Sequence, residues 1–227
     1  MALTRERILE TALEILSAYG LGDLSMRRLA AELDVAPGAL YYHVRNKQEL
    51  LAQLAHRLLE TGPGRPPRAA AAASRPAAPA SGTRTAEPEP ASPAAEPVLP
   101  PGSPPAARRA AEAALERALA VRASLAGIPD AADVVSLAMA LRPEAVPPLG
   151  AVAAALESAG LAAERAGWAA RTVLYTVLGF VGEEQSRAQA APGTSPAEVG
   201  NPSTQVMGAS AEACAFGVRA VLRGLFL

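Results

Sequence analysis

Apolar residues recur at intervals of three and four along most of this 227-residue chain. No stretch of the sequence shows the alternation of apolar, β-branched and polar residues that is typical of a half-buried strand. A period between three and four places side chains on one face of an α-helix, so each such stretch predicts an amphipathic helix with one buried stripe. The sequence therefore predicts an all-α protein.

The composition divides the chain into three parts. Residues 62–105 are almost entirely Ala, Pro, Ser, Gly, Arg and Glu, with too little bulky apolar surface to offset the entropy cost of ordering them. We therefore predict a disordered linker there, between a helical domain over 1–61 and a second helical domain over 106–227. The same residue types predict a shorter loop at 191–202.

Four helices are predicted in the first domain, where Thr4 and Ser25 are suited to cap the first two. The predicted ranges are 5–19, 26–33, 36–44 and, for the helix that links the two domains, 46–61. Asn46, followed by Glu49 three residues later, forms the capping signature of the fourth helix. Two short helices joined by a turn at Asp34 and braced by two longer helices have the layout of a helix-turn-helix module.

The third predicted helix has an unusual exposed face. At about 100° per residue, Leu40 and Val44 fall on one side, and the opposite side centres on Tyr42 and Gly38. Leu40 and Val44 are therefore predicted to be core contacts, which leaves the rings of residues 41–43 pointing outward. A purely structural helix would carry charged residues there, so exposed rings predict a binding partner.

A helix of this kind, placed in the major groove of DNA, contacts base edges with its N-terminal residues. Small residues let the backbone approach the bases, and an alanine methyl can meet the methyl group of thymine. The side chains that follow can donate hydrogen bonds to phosphates. The candidate base-contacting residues are Pro37, Gly38 and Ala39, and the candidate phosphate-contacting residues are Tyr41, Tyr42, His43 and Lys47. For His43, capping of the C-terminal end of its helix is the alternative role.

The first 60 residues are nearly balanced in charge, with seven Arg and Lys against eight Asp and Glu. Residues 25–47 carry four basic and two acidic side chains, so positive charge is local to the proposed DNA-binding side. Arg27 and Arg28 are candidate DNA contacts there, and a solvated helix face is the alternative. With few phosphate contacts, we expect a shallow but negative dependence of log affinity on log salt concentration.

Residues 1 to about 60 resemble the N-terminal domain of the TetR family of bacterial transcriptional regulators, in the motif RERILETALEILSAYGLGDLSMRRLAAELDVAPGALYYHVRNKQELL. The resemblance implies DNA contacts from Arg27, from the exposed residues of the third helix and from Lys47. Paired domains of this type read a palindromic operator whose half-sites lie about 34–36 Å, or a multiple of that distance, apart.

The second domain is predicted to contain five helices. Their ranges are 108–125, 131–141, 147–160, 163–189 and 204–226, and Asp130 is suited to cap the second of them. The order and spacing of ALRPEAVPPLG, WAARTVLYTVLGFVGEEQSRAQ and FGVRAVLRGL resemble the C-terminal domain of the tetracycline-repressor type. This resemblance implies that the last two helices form a four-helix bundle with their counterparts in a homodimer.

A regulator of this type also needs an effector site. The metal-binding histidine of the tetracycline-repressor type has no counterpart here, because Leu137, Ala138 and Met139 stand where it would align. We therefore expect no metal and a largely apolar small-molecule ligand. The candidate pocket residues, for which a core role is the alternative, are Leu137, Met139, Leu141, Trp168, Tyr175, Phe180 and Phe216.

No catalytic set, phosphate-binding glycine loop or metal-spaced Cys and His cluster is found in the sequence. The lone Cys214 and the lack of a signal-peptide or membrane-span pattern lead us to expect a cytoplasmic protein. The sequence predicts a homodimeric, ligand-responsive repressor that binds an operator in double-stranded DNA, not an enzyme, and needs no cofactor. Two alternatives remain open: an activator or regulator controlled by a protein partner, and a helical interaction or enzyme module.

Overall fold

The structure is a computed structural model that describes residues 3–60, 97–190 and 211–226. Every regular element among these residues is helical, which confirms the all-α prediction. The helices are α1 (Arg5–Tyr19), α2 (Met26–Glu32), α3 (Pro37–His43), α4 (Lys47–Glu60), α5 (Pro105–Leu125), α6 (Ala131–Leu141), α7 (Pro147–Ser158), α8 (Ala163–Ala190) and α9 (Ala211–Leu225), with a short 3₁₀ turn (Pro143–Ala145) before α7.

Three of the sequence predictions fall on other parts of the chain. Most of the predicted linker (62–96), the predicted loop at 191–202 and the predicted start of the last helix (204–210) lie outside the described residues. We refer to residues 3–60 as the head and to the remaining described residues as the body.

The helices of the head begin at the predicted capping residues. Ser25 Oγ accepts a hydrogen bond from the Arg28 backbone N–H at 3.1 Å, and Asn46 Oδ1 accepts one from the Glu49 N–H at 2.8 Å. The Glu49 carboxylate in turn accepts the Arg45 N–H at 2.9 Å. These bonds satisfy backbone donors at the helix starts, where the first N–H groups have no intrahelical partner. The capping predictions for α2 and α4 are therefore confirmed.

Inside the head, α2 packs against both α1 and α3, and α1 packs against α4. Ile8, Leu16, Leu29, Leu40 and Leu50 are completely buried between these helices. Burying one such aliphatic side chain contributes roughly 1.5–3 kcal/mol relative to leaving it in water. This packing fixes the position of α3, which at seven residues is too short to be stable alone.

In the body, α7 packs against both α5 and α8, and α8 also packs against α6 and α9. Alanines supply much of the buried surface, and their small side chains let the helix axes approach closely. At Gly217 on α9, a Cβ atom would lie only 3.0 Å from a ring carbon of Phe180 on α8. The head joins this core through α4, which packs against α6.

Residues 97–104 differ from the prediction, which assigned them to the end of a disordered linker. Val98 and Leu99 are buried in the body. The Val98 backbone N–H donates to Glu112 Oε1 at 3.1 Å, and its carbonyl accepts a hydrogen bond from Arg223 Nε at 2.9 Å. The prediction relied on average composition, whereas two adjacent aliphatic side chains are enough to attach a Pro-rich segment. As a result α5 begins three residues before the predicted Arg108.

Asp130 does not cap α6, and the prediction of that role is wrong. An N-cap residue normally has an extended backbone, which directs its side chain toward the N–H groups of the first turn. Asp130 instead has a left-handed backbone with φ 55°, and its side chain makes no capping hydrogen bond. Its carboxylate is turned toward the head.

None of the described helices is long and apolar enough to cross a lipid bilayer.

Candidate nucleic-acid interface

The orientation of α3 is the one predicted from its periodicity. Leu40 and Val44 have no exposed surface, whereas Tyr42 is 90% exposed and Tyr41 is 50% exposed. An exposed tyrosine pair on a helix that is otherwise held by two buried aliphatic residues is not required by packing. The structure thus confirms that the phenol rings point away from the protein.

The first turn of α3 presents small residues. Pro37 occupies the first helical position, where the missing backbone N–H has no intrahelical acceptor to lose. Gly38 and Ala39 are exposed, and a Cβ atom built at Gly38 would meet no atom within 4 Å. The edges of DNA bases can therefore approach the backbone of this turn without displacing a side chain.

His43 lies at the end of α3 and is half-buried. Its ring meets the Tyr42 ring edge to face, with 5.5 Å between the centroids. The His43 carbonyl accepts a hydrogen bond from Arg5 Nη2 at 3.1 Å, which ties the last turn of α3 to α1. The phosphate-binding and capping roles considered for the imidazole both stay predictions.

Arg27 and Arg28 have different surroundings although they are adjacent in α2. Arg28 is half-buried, forms an ion pair with Asp23, and places its guanidinium 4.0 Å from the centroid of the Tyr19 ring. Arg27 is exposed. The contacts of Arg28 could not be predicted from the sequence, because Tyr19 belongs to a different helix and Asp23 to the intervening turn.

Eight residues from α2, α3 and the start of α4 form what we call the α3 face. Its members are Arg27, Pro37, Gly38, Ala39, Tyr41, Tyr42, His43 and Lys47. Small residues occupy its N-terminal end, and two phenols, an imidazole and two cationic side chains surround them. Phenol O–H groups and cations donate hydrogen bonds to phosphate oxygens, and small residues permit contact with base edges. The arrangement is chemically suited to a DNA groove.

The predicted pocket residues are not brought together among the described residues. Met139 is fully buried in the core, and Phe180 is half-buried against Gly217. The other five lie on the surface: Leu137 (37% exposed), Leu141 (44%), Trp168 (61%), Tyr175 (44%) and Phe216 (72%). Apolar residues at helical spacing occur equally in cores and on interaction surfaces, and the pocket role of these seven residues stays a prediction.

Neither of two clefts in the described part of the chain is lined by more than one of the predicted pocket residues. One, of about 470 Å³, lies between α1, α4 and the 3₁₀ turn and is lined by none of the predicted pocket residues. Charged and polar groups such as Arg57, Glu60 and Arg142 surround it. The other, of about 670 Å³, lies at the turn between α7 and α8 and contains only Trp168 from the predicted set.

Comparison with known proteins assigns the first domain by sequence. Residues 8–54 match the family model described as bacterial regulatory proteins of the tetR family. The tetracycline repressor protein class C of Escherichia coli is 47% identical over 57 residues, which are 25% of this chain and 26% of that protein. The match spans about a quarter of the length of the curated relatives, so it concerns the head alone.

Solved structures extend the similarity to the whole chain. The crystal structure of BioQ with its natural double-stranded DNA operator is 33% identical, with a TM-score of 0.57, over 83% of this chain and 89% of that one. The structure of Streptomyces coelicolor ActR, a TetR family protein in complex with (S)-DNPA, is 27% identical, with a TM-score of 0.62, over 99% and 98% of the two chains. Head and body therefore have counterparts in the same solved proteins.

Proposed function

Because this chain belongs to the TetR family of bacterial transcriptional regulators, we propose that it is a homodimeric repressor that acts in the cytoplasm. It binds a palindromic operator through the α3 face of each subunit and is released by a small molecule. The observation that carries this proposal is the 90% exposure of Tyr42 on a helix whose Leu40 and Val44 are completely buried. Burial of Leu40 and Val44 thus holds α3 in position within the head. The side of α3 that carries the rings remains available to bind a duplex.

The α3 face suggests a division of roles in DNA recognition. Pro37, Gly38 and Ala39 meet base edges in the major groove, because they place the backbone close to the bases. The side chains of Tyr41, Tyr42, His43, Lys47 and Arg27 donate to phosphates and set the register of the helix in the groove. The complex of BioQ with its operator supports DNA as the partner.

The homodimer is proposed to form through α8 and α9. Trp168 and Tyr175 on α8 and Phe216 on α9 are large apolar side chains that remain exposed in a single chain. We refer to these three residues as the α8–α9 face. Large exposed apolar side chains on two helices that pack against each other are suited to a protein interface, since burying them removes the cost of hydrating the rings. A four-helix bundle of α8 and α9 from two subunits would bury this face.

The effector is proposed to be small and largely apolar. The complex of ActR with (S)-DNPA supports a small-molecule partner. The buried sides of α5, α6, α7 and α8 carry almost exclusively Ala, Val, Leu and Met side chains, so a ligand admitted between these helices would contact apolar groups. Since α6 packs against α4, a ligand that shifts α6 would also move the head.

Operator binding can be tested with Tyr42→Ala and Tyr42→Phe. DNA fragments retained by the wild-type protein would be identified by footprinting, and affinities for a retained palindrome would be measured by fluorescence anisotropy. We expect Tyr42→Ala to bind the palindrome at least about 100-fold more weakly, because a hydrogen bond to a charged acceptor contributes about 1.5–3 kcal/mol and is lost in both heads of the dimer. Tyr42→Phe keeps the ring and separates the effect of the hydroxyl group from that of the ring.

The melting temperature should be nearly the same for all three proteins, since the Tyr42 ring is in solvent. The proposal is refuted if wild-type protein retains no genomic fragment at low salt concentration. A large loss of stability in Tyr42→Ala with unchanged operator affinity would also contradict it, because the ring would then serve the fold.

A further inference from the structure

The carboxylate of Asp130 connects the head with the C-terminal end of α8. Oδ2 accepts a hydrogen bond from the Leu21 backbone N–H at 2.7 Å, and Oδ1 accepts one from Gln189 Nε2 at 2.6 Å. Leu21 lies in the turn between α1 and α2, and Gln189 lies in the last turn of α8. One side chain in the turn between α5 and α6 therefore contacts two elements that are far apart in the sequence. We call these three residues the Asp130 latch.

The backbone on both sides of this contact has an unusual conformation. Gly20 has φ 77°, and a Cβ atom at that position would lie 2.6 Å from Asp130 Oδ2. Glycine is thus what permits the turn of the head to approach the carboxylate. Asp130 itself has φ 55°, a region that few residues other than glycine adopt and that persists only where surrounding contacts hold it.

Gln185 attaches the Asp130 turn to α8 independently of the latch. Its side chain is buried, and its Nε2 donates to the carbonyls of Leu125 (2.9 Å) and Ile128 (2.7 Å). Its Oε1 accepts the Ala132 N–H at 3.4 Å. A buried amide that holds both ends of a short turn makes that turn move with the helix that carries the amide. Asp130 is therefore attached to α8 both through this turn and through Gln189, while its other oxygen contacts the head.

We propose that Asp130 is a positioning residue for operator binding, which locks the α1–α2 turn to α8 and so fixes the orientation of the α3 face. This inference rests on the proposed function, because operator binding is what the positioning serves. The turn leads directly into α2, and α2 packs against α3. At the other end, α8 carries Trp168 and Tyr175 of the proposed dimer face. The latch thus sets each α3 face relative to the two-fold axis.

A second attachment matters because α4 is the one helix of the head with extensive packing against the body, where it contacts α5, α6, α7 and the 3₁₀ turn. The hydrogen bond through Leu21 adds a contact from a different part of the head, the turn between α1 and α2, and so further restricts the orientation of the head. Binding of two heads to one palindrome requires both to have the correct separation and orientation. A head that is free to rotate must lose that freedom when it binds, which lowers the affinity.

The test uses full-length protein carrying Asp130→Gly, Asp130→Asn or, as a matched control, Asp133→Ala. Glycine accepts the left-handed backbone and removes the carboxylate, so the turn keeps its shape while the latch is lost. Asparagine also tolerates that backbone, and its amide oxygen still accepts the Leu21 N–H. Asp133 is an exposed carboxylate in the first turn of α6. Two quantities are measured: operator affinity by anisotropy, and hydrogen exchange of the Leu21 amide by NMR.

Loss of the latch should weaken operator binding about 10-fold in Asp130→Gly, a value within the range typical of coupling between two sites. Exchange of the Leu21 amide should become faster in the same variant. We expect Asp130→Asn to lie between Asp130→Gly and the wild-type protein in both measurements, and Asp133→Ala to match the wild type. Unchanged or higher affinity in a folded, dimeric Asp130→Gly protein would overturn the inference.

If Asp130→Gly fails to fold, Asp130→Ala replaces it, because it also removes the acceptor of the Leu21 N–H and leaves Gln185 in place. A weaker operator affinity of this variant supports the inference, and an affinity equal to that of the wild type refutes it. The amide exchange separates the inference from the proposed function. Wild-type protein that binds no DNA refutes the proposed function, whereas a Leu21 amide that exchanges equally fast in wild type and Asp130→Gly refutes the latch itself.

Discussion

The α3 face and the α8–α9 face both leave large rings in water, but the neighbours of those rings differ. On α3 the exposed rings are phenols beside small residues and the exposed cations Arg27 and Lys47. On α8 and α9 the most exposed rings are the indole of Trp168 and the phenyl ring of Phe216. A phenol can donate a hydrogen bond to a phosphate, whereas a phenyl ring gains free energy only by leaving water. In the proposed function, the hydrogen-bonding groups of the α3 face therefore suit a duplex, and the apolar rings of the α8–α9 face suit a second subunit.

The two faces are also supported in different ways. α3 has seven residues and is held by Leu40, Val44 and the Arg5 hydrogen bond to its last turn, so its face is fixed before a duplex arrives. α8 has 28 residues and packs against α5, α6, α7 and α9. A long rigid helix provides a large interface, and a short anchored helix fits a groove. Substitutions on the two faces should therefore have separable effects.

The largest effect is expected from Phe216→Glu. In a two-fold symmetric interface each substitution places two carboxylates where rings would pack, and truncation of a central aromatic residue alone costs about 2 kcal/mol or more. We expect monomers in sedimentation velocity experiments and operator binding at least about 100-fold weaker, since one head contacts one half-site. Ala154→Glu, at an exposed position on α7, is the control. A stable Phe216→Glu dimer would show that the α8–α9 face has another partner.

Leu40→Ala is expected to lower operator affinity less than Phe216→Glu does, but to lower the free energy of unfolding strongly. Leu40 is fully buried under the α3 face, and removing a buried leucine costs about 2–5 kcal/mol of the free energy of unfolding. Denaturant unfolding of Leu40→Ala and Tyr42→Ala side by side measures the contrast between the two sides of one helix. Equal stability of the two variants would mean that the buried and exposed sides of α3 have been assigned incorrectly.

The sequence predicted those features that depend on neighbours within a few residues. The period of Leu40 and Val44 determined which side of α3 is buried, and the spacing of Asn46 and Glu49 located the start of α4. In both cases the physical cause is local: helical geometry in the first and unsatisfied backbone donors in the second.

Features that depend on distant partners could not be predicted in this way. The acceptor role of Asp130 requires the Leu21 N–H, 109 residues away in the sequence, and local rules assign the same carboxylate to helix capping. Apolar residues such as Leu137 and Trp168 satisfy the pattern of a core, a pocket or an interface equally well. Only the packing of the helices decides between these roles, and here it places both residues at the surface.

The smallest effect on operator binding is expected from Arg27→Ala. Comparison with Arg28→Ala tests whether the two adjacent arginines have different roles. Arg27 is exposed, so its guanidinium can reach a phosphate at little cost, whereas Arg28 would have to leave Asp23 and the ring of Tyr19. Each lost phosphate contact lowers the slope of log affinity against log salt concentration by about one, and a dimer has two heads.

The slope should therefore decrease in magnitude by about two for Arg27→Ala, and by less for Arg28→Ala. Arg109→Ala, at an exposed position on α5 in the body, should leave the slope unchanged. A larger decrease for Arg28→Ala than for Arg27→Ala would mean that the ion pair with Asp23 opens when DNA binds. The α3 face would then extend to the turn between α1 and α2, which is the turn that Asp130 holds.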